Sequence, residues 1–548
     1  MNDDQIKAIL LRENYITEAD ASRAEKQAAT TKKPLTEILL SEGIVTRNLL
    51  GQAIAESLQR SFADLKTVEP SREQVLLLPK QVAREHHAVI FKQTTTALTV
   101  ATAETDTTAL NTILQTTFPG KKINYAYAFP EDVEESFVYY LKKLETRFKD
   151  IIAKQKRVAP EIIDQIILDA LAFRASDIHI EPQEKEIIIR FRVDGVLQEA
   201  GRMPKEYYPN ILNRIKVETH LPIDEHFSAQ DGAIRYKTQE AEVDLRVSIL
   251  PTLNGEKVAI RLLSQYVHGF TFSDLGLSEK DQALLETTAK KPFGMILVVG
   301  PTGSGKSTSL YALLKLLNRS EINITTIEDP VEYKVEGINQ IQVNQQTNLT
   351  FAEGLRSIAR QDPDVILVGE IRDLETTEIA VNAALTGHLL LSTFHANDAA
   401  TAIPRLLEMG AEPFLLASTL ELVIAQRLVR KICDHCKHSI SLSHAQLERE
   451  LPHFPKKYFS GKTITLYQGD GCPSCGGTGF RGRTAIFEFI TVTPELRELM
   501  LHSPSTQQIW ELAKTQGAVT LFEDGLEKVK NGVTTVAELL RVAQPPEK

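Results

Sequence analysis

The sequence predicts an α/β protein in which a nucleotide-binding domain follows smaller N-terminal modules. Three observations lead there. Residues 300–307, Gly-Pro-Thr-Gly-Ser-Gly-Lys-Ser, fit the pattern G-x-x-x-x-G-K-[ST] of a phosphate-binding loop. The apolar run Met295–Val299 leads into that loop as a buried strand, and Thr308–Leu317 leaves it with helical spacing. Downstream, the strand-like runs Ile322–Ile327, Val365–Val368 and Leu389–Thr393 alternate with helical stretches, the pattern of a parallel sheet covered on both faces.

Composition sets the bounds. A chain of 548 residues is too long for one core and implies several domains. With 42% apolar and 24% charged residues it reads as an ordinary globular protein, and its net charge of −10 offers no global attraction to nucleic acid. No apolar run reaches the roughly 18 residues that span a bilayer; Phe414–Ala425 comes nearest and carries Glu421. The opening Met1-Asn2-Asp3-Asp4 lacks the basic and apolar regions of a secretory signal. A cytoplasmic location is therefore expected.

Taken in order, residues 1–65 carry a weak repeat. Ile9–Glu13 recurs as Ile38–Glu42, and Ile16-Thr17 as Val45-Thr46, with helical stretches Glu18–Ala29 and Asn48–Gln59 after each copy. Alone, this reads as a helical docking module. Residues 66–145 read as a small α/β unit, with a strand at Leu98–Ala101 and a helix at Glu131–Lys143; residues 146–158 are charged and read as a linker. Residues 159–270 form a second α/β domain. A helix, Ile162–Arg174, leads to Ala175–Pro182 and to the strand-like runs Ile187–Val193, Glu242–Val247 and Val258–Leu263. Arg190, Arg192, Arg246 and Arg261 sit in or beside these strands, where pairing with neighbouring carboxylates is the plain structural reading. Residues 271–548 are the nucleotide domain.

In parallel α/β sheets the ligand binds at the carboxyl ends of the strands, so the polar residues after each strand carry the chemistry. The loop Gly300, Pro301, Thr302, Gly303, Ser304, Gly305, Lys306, Ser307 and Thr308 would wrap phosphates, its non-proline residues offering N–H groups and Lys306 a cation, and the Ser307 hydroxyl is placed for Mg²⁺. Acidic groups beside such a loop are costly unless they face that ion or the attacking water. Glu370 closes a wholly apolar strand and is the candidate to polarise the water; Glu332 would share the task, with Glu328 and Asp329 supporting the metal. His395, after the strand Leu389–Ser392, reads either as a γ-phosphate sensor or as a structural hydrogen-bonding residue. Transition-state charge calls for arginine: Arg356, Arg360 and Arg372 lie near the acidic strand end. Arg246 and Arg261, from the preceding domain, would couple hydrolysis to domain motion.

All four cysteines fall in two C-x-x-C pairs, Cys433/Cys436 and Cys472/Cys475. Such pairs supply four thiolates to a structural Zn²⁺; the 35 residues between them imply an elongated insertion, at about 430–485.

Together the loop, Ile327–Glu332, Arg360–Asp364 with Gly369–Asp373, and Thr386–His388 with Thr393–Asn397 strongly resemble the Walker A, Asp box, Walker B and His box of the type II/IV secretion ATPases, the GspE and PilB proteins. Ala175–Pro182 and Arg190–Gly195 resemble that family's second N-terminal domain, and the four cysteines resemble its zinc motif. The resemblance implies a RecA-like P-loop NTPase domain behind a PAS-like α/β domain. It also implies a homohexamer hydrolysing ATP with Mg²⁺ to drive assembly of a pilus or secretion pseudopilus. An inner-membrane platform protein and a membrane-anchored adaptor are the implied partners, nucleic acid is not, and Arg246 and Arg261 match arginines that reach the nucleotide. The zinc pairs match extension and secretion motors, since the retraction motors lack them. Residues 1–65 resemble the MshEN-type module that binds cyclic di-GMP in some relatives. Pro34-Leu35-Thr36 stands where those relatives carry Arg-Leu-Gly; in the second N-terminal domain, Ala229–Ala233 departs from the family's usual Pro-Gln-Asp-Gly-Arg. A rival of another class is a nucleotide- or cyclic di-GMP-gated regulatory module that binds without cycling.

Overall fold

In the computed structural model the chain divides into two compact units, Met1–Leu262 and Leu263–Lys548. The structure describes residues 3–140, Phe148 and 159–545, apart from 14, 32–34, 42–43, 66–67, 69, 238–241, 264–271, 451–453, 455–457, 460–462 and 473–474. The expected linker 146–158 thus lies outside the described residues except for Phe148, and Pro34 does as well.

In the first unit the repeat folds as four helices, Asp3–Arg12, Glu18–Thr31, Leu35–Ser41 and Arg47–Ser57. The repeated pairs Ile9-Leu10 and Ile38-Leu39 are buried in one cluster, which also takes in Tyr127 and Phe129. Tyr127 ends a strand of a four-stranded sheet ordered Ser61–Phe62, Lys122–Tyr127, Ala97–Thr102, Ala88–Gln93. Arg47 fastens the two parts: it pairs with Asp132 at 2.9 Å and lies 4.2 Å over the Phe129 ring. Apolar packing therefore continues across residue 65. The expected helix Glu131–Lys143 is shorter among the described residues, Pro130–Ser136 followed by a 3-10 turn at Phe137–Tyr140.

The rest of this unit is a six-stranded sheet ordered Val196–Pro204, Glu186–Val193, Asp177–Pro182, Gly255–Leu263, Glu242–Thr252, Gln230–Lys237. Its strands alternate. Ile178, Ile180, Ile187, Ile189 and Phe191 enter a core shared with the helices Ala159–Ala172 and Tyr208–Glu218, and the intervening positions carry the charges. Arg190 pairs with Glu181 at 2.6 Å, while Arg192 and Arg261 each reach Asp177 at 3.4 Å.

The second unit is built on a seven-stranded sheet ordered Asn339–Gln342, Ile324–Glu328, Val365–Val368, Leu389–Phe394, Gly294–Val299, Leu420–Ile432, Phe480–Thr491. The first six strands run parallel and the last is antiparallel. The four-residue strand Val365–Val368 is wholly buried, as its unbroken apolar run predicts. The run Phe414–Ala425 splits in two: a short helix, Pro413–Thr419, then the first half of the strand Leu420–Ile432 beside the loop's own strand. Its lone acid, Glu421, is neutralised by Lys291 and by Arg497, the latter at 2.6 Å. Among the described residues no helix is long and apolar enough to cross a membrane.

Glu488, on the antiparallel strand, is a buried acid that receives the backbone N–H of Ala399 at 2.8 Å and of Leu521 at 3.4 Å, the first residues of two helices. Burial raises its pKa to about 7 despite those donors. A carboxyl whose pKa is higher folded than unfolded keeps protons that the unfolded chain has released, so its contribution to stability falls as pH rises from about 4.5 to about 7. At ~1.4 kcal/mol per pH unit the loss is on the order of 3 kcal/mol. Thermal melts at pH 5 and pH 8 should show the unmodified chain losing more stability than Glu488→Gln over that interval; parallel losses would refute the assignment.

Candidate nucleotide and metal sites

The strand Gly294–Val299 ends at the loop, and the helix Lys306–Leu317 starts within it. Glycine is required at two of the loop's positions. Gly300 has φ 149°, and a Cβ there would lie 2.5 Å from the Gln426 carbonyl oxygen. Gly305 has φ 88°, and its Cβ would lie 2.8 Å from Gln426 Nε2. Gln426 thus forms the floor of the loop. It is buried in the strand Leu420–Ile432 and accepts a hydrogen bond from Ser309 at 2.8 Å. In the sequence this residue is marked only as one amide inside Leu422–Leu428, otherwise apolar up to Arg427, and no motif points to it.

Pro301, Thr302, Gly303 and Ser307 are exposed, with Gly305, Lys306 and Thr308 half-buried. Ser304 is buried, and its hydroxyl has no hydrogen-bond partner among the described residues. Lys306 curls back to donate to the carbonyls of Gly300 at 2.9 Å and Pro301 at 3.1 Å. Burial lowers its pKa, and the nearby Glu370 opposes that shift.

Glu370 gathers the expected groups. It pairs with Arg372 and lies 3.3 Å from His395 Nε2. Asp329 also acts on Arg372, whose pKa is raised chiefly by its hydrogen bond to Glu370. Lys306, Glu370, Arg372, His395 and Asp329 therefore share one electrostatic neighbourhood at the carboxyl ends of the strands. Thr393 locks two of those ends together by donating to the Gly369 carbonyl at 2.7 Å.

Other expected groups are placed elsewhere. Glu328 is buried and turned inward, accepting from Tyr311 and, at 2.6 Å, from Thr326. Glu332 is half-buried. Arg356 is tied to Glu375 at 2.6 Å, and Arg360 donates to the Arg356 carbonyl at 3.0 Å. Arg246 and Arg261 belong to the first unit, where Arg261 pairs with Asp177 and Arg246 stands opposite Ala233.

The four cysteines converge, with their sulfurs within 4.8 Å of one another. Three Sγ–Sγ separations, Cys433–Cys472 and Cys472–Cys475 at 3.7 Å and Cys436–Cys475 at 3.9 Å, span tetrahedron edges. Thiolates about 2.3 Å from a tetrahedral Zn²⁺ would stand about 3.8 Å apart, so this donor set fits zinc. Burial raises the pKa of Cys433, and raises that of Cys436 to about 11. Cys475 is buried too, but the N–H groups of Cys472 and Gly479, at 3.1 and 3.2 Å, pull it down to about 7. Between the pairs, Lys437–Ser443 and Thr463–Gly469 form a two-stranded sheet whose Leu442, Ile464 and Leu466 join the main core.

The sequence profile described as type II/IV secretion system protein matches residues 153–541. The chain belongs to this family. As one of its ATPases, it is 47% identical over 397 residues to the type II secretion system protein E of Pseudomonas aeruginosa, covering 72% of this chain and 77% of that relative. It is 36% identical over 563 residues to the type IV pilus assembly ATPase PilB of Myxococcus xanthus, covering 98% of both. Among solved structures, the ATPase DotB of Legionella pneumophila shares the fold, with a TM-score of 0.51 at 20% identity over 71% of this chain and 97% of that one. A second profile, the MshEN domain, matches residues 58–146. That match lies over the four-stranded unit and leaves out the helical residues 1–57.

Proposed function

We propose that this secretion-family ATPase is a homohexameric motor whose ATP hydrolysis powers assembly of a type IV pilus. The observation that carries the proposal is Glu370, held at a strand end by His395 and Arg372 within the field of Lys306. In this reading the loop's N–H groups and Lys306 bind the phosphates, with Lys306 exchanging two backbone carbonyls for the β- and γ-oxygens. Ser307, with Asp329 nearby, would hold Mg²⁺, which neutralises phosphate charge when bound. Glu370 releases Arg372 to the developing charge and orients the attacking water, while His395 registers whether the γ-phosphate is present.

The pilus reading is favoured by a match running the full length of a pilus assembly ATPase. The higher identity to a type II secretion protein, over a smaller share of the chain, supports a second reading as a pseudopilus motor. In either, the motor works in the cytoplasm against the inner membrane. A platform protein receives the motion, an adaptor docks on the N-terminal modules, and nucleic acid is not contacted. Those modules comprise residues 1–65 and 66–145, followed by a linker to 159–270 and the ATPase domain 271–548. Cyclic di-GMP is the ligand to test on the N-terminal modules. A regulatory module that binds nucleotide without cycling is the rival that turnover excludes.

Arg246 decides whether the units are coupled. Arg246→Ala is expected to lower ATPase turnover by about 10³-fold, the lower end for a lost arginine finger, with nucleotide affinity and hexamer mass kept. The check is ATPase rate alongside oligomer mass, with and without ATP and Mg²⁺. A monomer that hydrolyses ATP equally well without Arg246 would end the coupling argument.

A further inference from the structure

The acidic segment Glu328–Glu332 is fastened from inside the domain by a residue that the nucleotide reading does not use. Tyr311 lies on the helix that starts at the phosphate loop, and it is among the largest fully buried side chains described. Its hydroxyl donates to Glu328, and its ring packs against Tyr333 just beyond Glu332. One side chain therefore holds both ends of the segment that carries Asp329 and Glu332. The surroundings leave the ring little freedom. Tyr333 packs edge-on against it at 4.5 Å and 72°, and Lys315 lies over the Tyr333 ring at 5.5 Å. Gln340 reaches both the Tyr311 hydroxyl and Glu328 at 3.4 Å and donates to the Tyr333 carbonyl at 3.1 Å. Glu328 takes its remaining hydrogen bond from Thr326, and with 5% exposure it is almost wholly enclosed.

We infer that Tyr311 is a positioning residue for hydrolysis: its hydroxyl fixes the segment Glu328–Glu332 to the phosphate-loop helix. Asp329 is then kept within reach of Arg372 at the strand ends, and Glu328 serves as the inner anchor. The inference rests on the ATPase reading above and makes a claim that reading does not, because it moves Glu328 from metal support to structure. It also gives the loop helix a direct hold on the acidic segment. A shift of that helix when phosphates bind would carry Asp329 and Glu332 with it.

The test uses the full chain, with kcat and KM for ATP, equilibrium affinity for ADP and the Mg²⁺ concentration for half-maximal rate. Tyr311→Phe keeps the ring and its packing but removes the hydroxyl. Its kcat is expected to fall about tenfold, the worth of one hydrogen bond to a charged group, with ADP affinity within about twofold. Glu328→Gln is expected to lower kcat by less, since an amide oxygen still accepts one of the two hydroxyls, and to leave the Mg²⁺ requirement within about twofold. The double variant should be no slower than Tyr311→Phe alone, because both changes cut one contact. Equal falls in kcat and ADP affinity would make Tyr311 a fold residue only and overturn the inference. So would an unchanged kcat, or an Mg²⁺ requirement raised about tenfold in Glu328→Gln, the size of a lost metal contact. Lys306→Ala serves as the separate control. If its turnover equals that of the unmodified chain, the ATPase reading itself fails, whatever Tyr311 does.

Discussion

Glu370→Gln is expected to lower the steady-state ATPase rate by about 10²–10⁴-fold, the contribution of a positioned acid–base group, while ATP and ADP bind as before. The substitution keeps size and hydrogen-bonding reach, so the contacts to His395 and Arg372 can persist in altered form. What disappears is the negative charge at the end of a strand buried on all sides. That charge does two things. In the proposed mechanism it would make the oxygen of an adjacent water more nucleophilic, and would hold Arg372 until phosphate charge competes for it. The variant should thus accumulate bound ATP, visible in single-turnover experiments as retained substrate with no burst of phosphate. Equal and negligible rates in the variant and the unmodified chain would remove the motor reading.

The second large effect concerns the cysteines. Cys433→Ser with Cys472→Ser should reduce bound zinc from about one per chain to none and destabilise the second unit by several kcal/mol. Four sulfurs crowded within 4.8 Å cannot all carry charge without a cation between them. Once that cation is lost, the remaining Cys436 thiol reverts to the raised pKa that burial gives it. The two-stranded sheet between the pairs then loses its anchor while its apolar residues still belong to the main core. Metal content measured with the melting temperature checks this; a protein isolated without zinc and melting unchanged would contradict it.

Much of the nucleotide site could be read from the chain because its pieces are local. A phosphate loop is one contiguous segment with fixed glycine chemistry, and Glu370 and His395 each end an apolar strand that predicts its own burial. What escaped the reading was set by distant partners. Phe414–Ala425 carries too few polar residues, Ser418, Thr419 and Glu421, to set a helical or a strand period, so periodicity could not reveal that Leu420 begins a strand beside Met295. Gln426 became part of the site only through that pairing. Glu328 has the same chemistry as Glu332 in sequence, and only the position of Tyr311, on another element, turns it inward. The helical repeat was visible, but its burial against Tyr127 and Phe129 joins residues far apart in the chain.

The long strand Leu420–Ile432 passes under the phosphate loop at Gln426 and runs straight into Cys433. Its antiparallel partner begins at Phe480, just beyond Cys475, and the Cys433 N–H is tied to the Gly479 carbonyl at 2.9 Å. The thiolate cluster is therefore a clasp on the open end of a two-stranded ribbon whose middle is the floor of the nucleotide site. With the clasp shut, the ribbon keeps its register, and Gln426 stays where Gly300 and Gly305 need it. Opened, the ribbon frays from Ile432 inward, and damage done at the sulfurs arrives at the phosphates without either site touching the other.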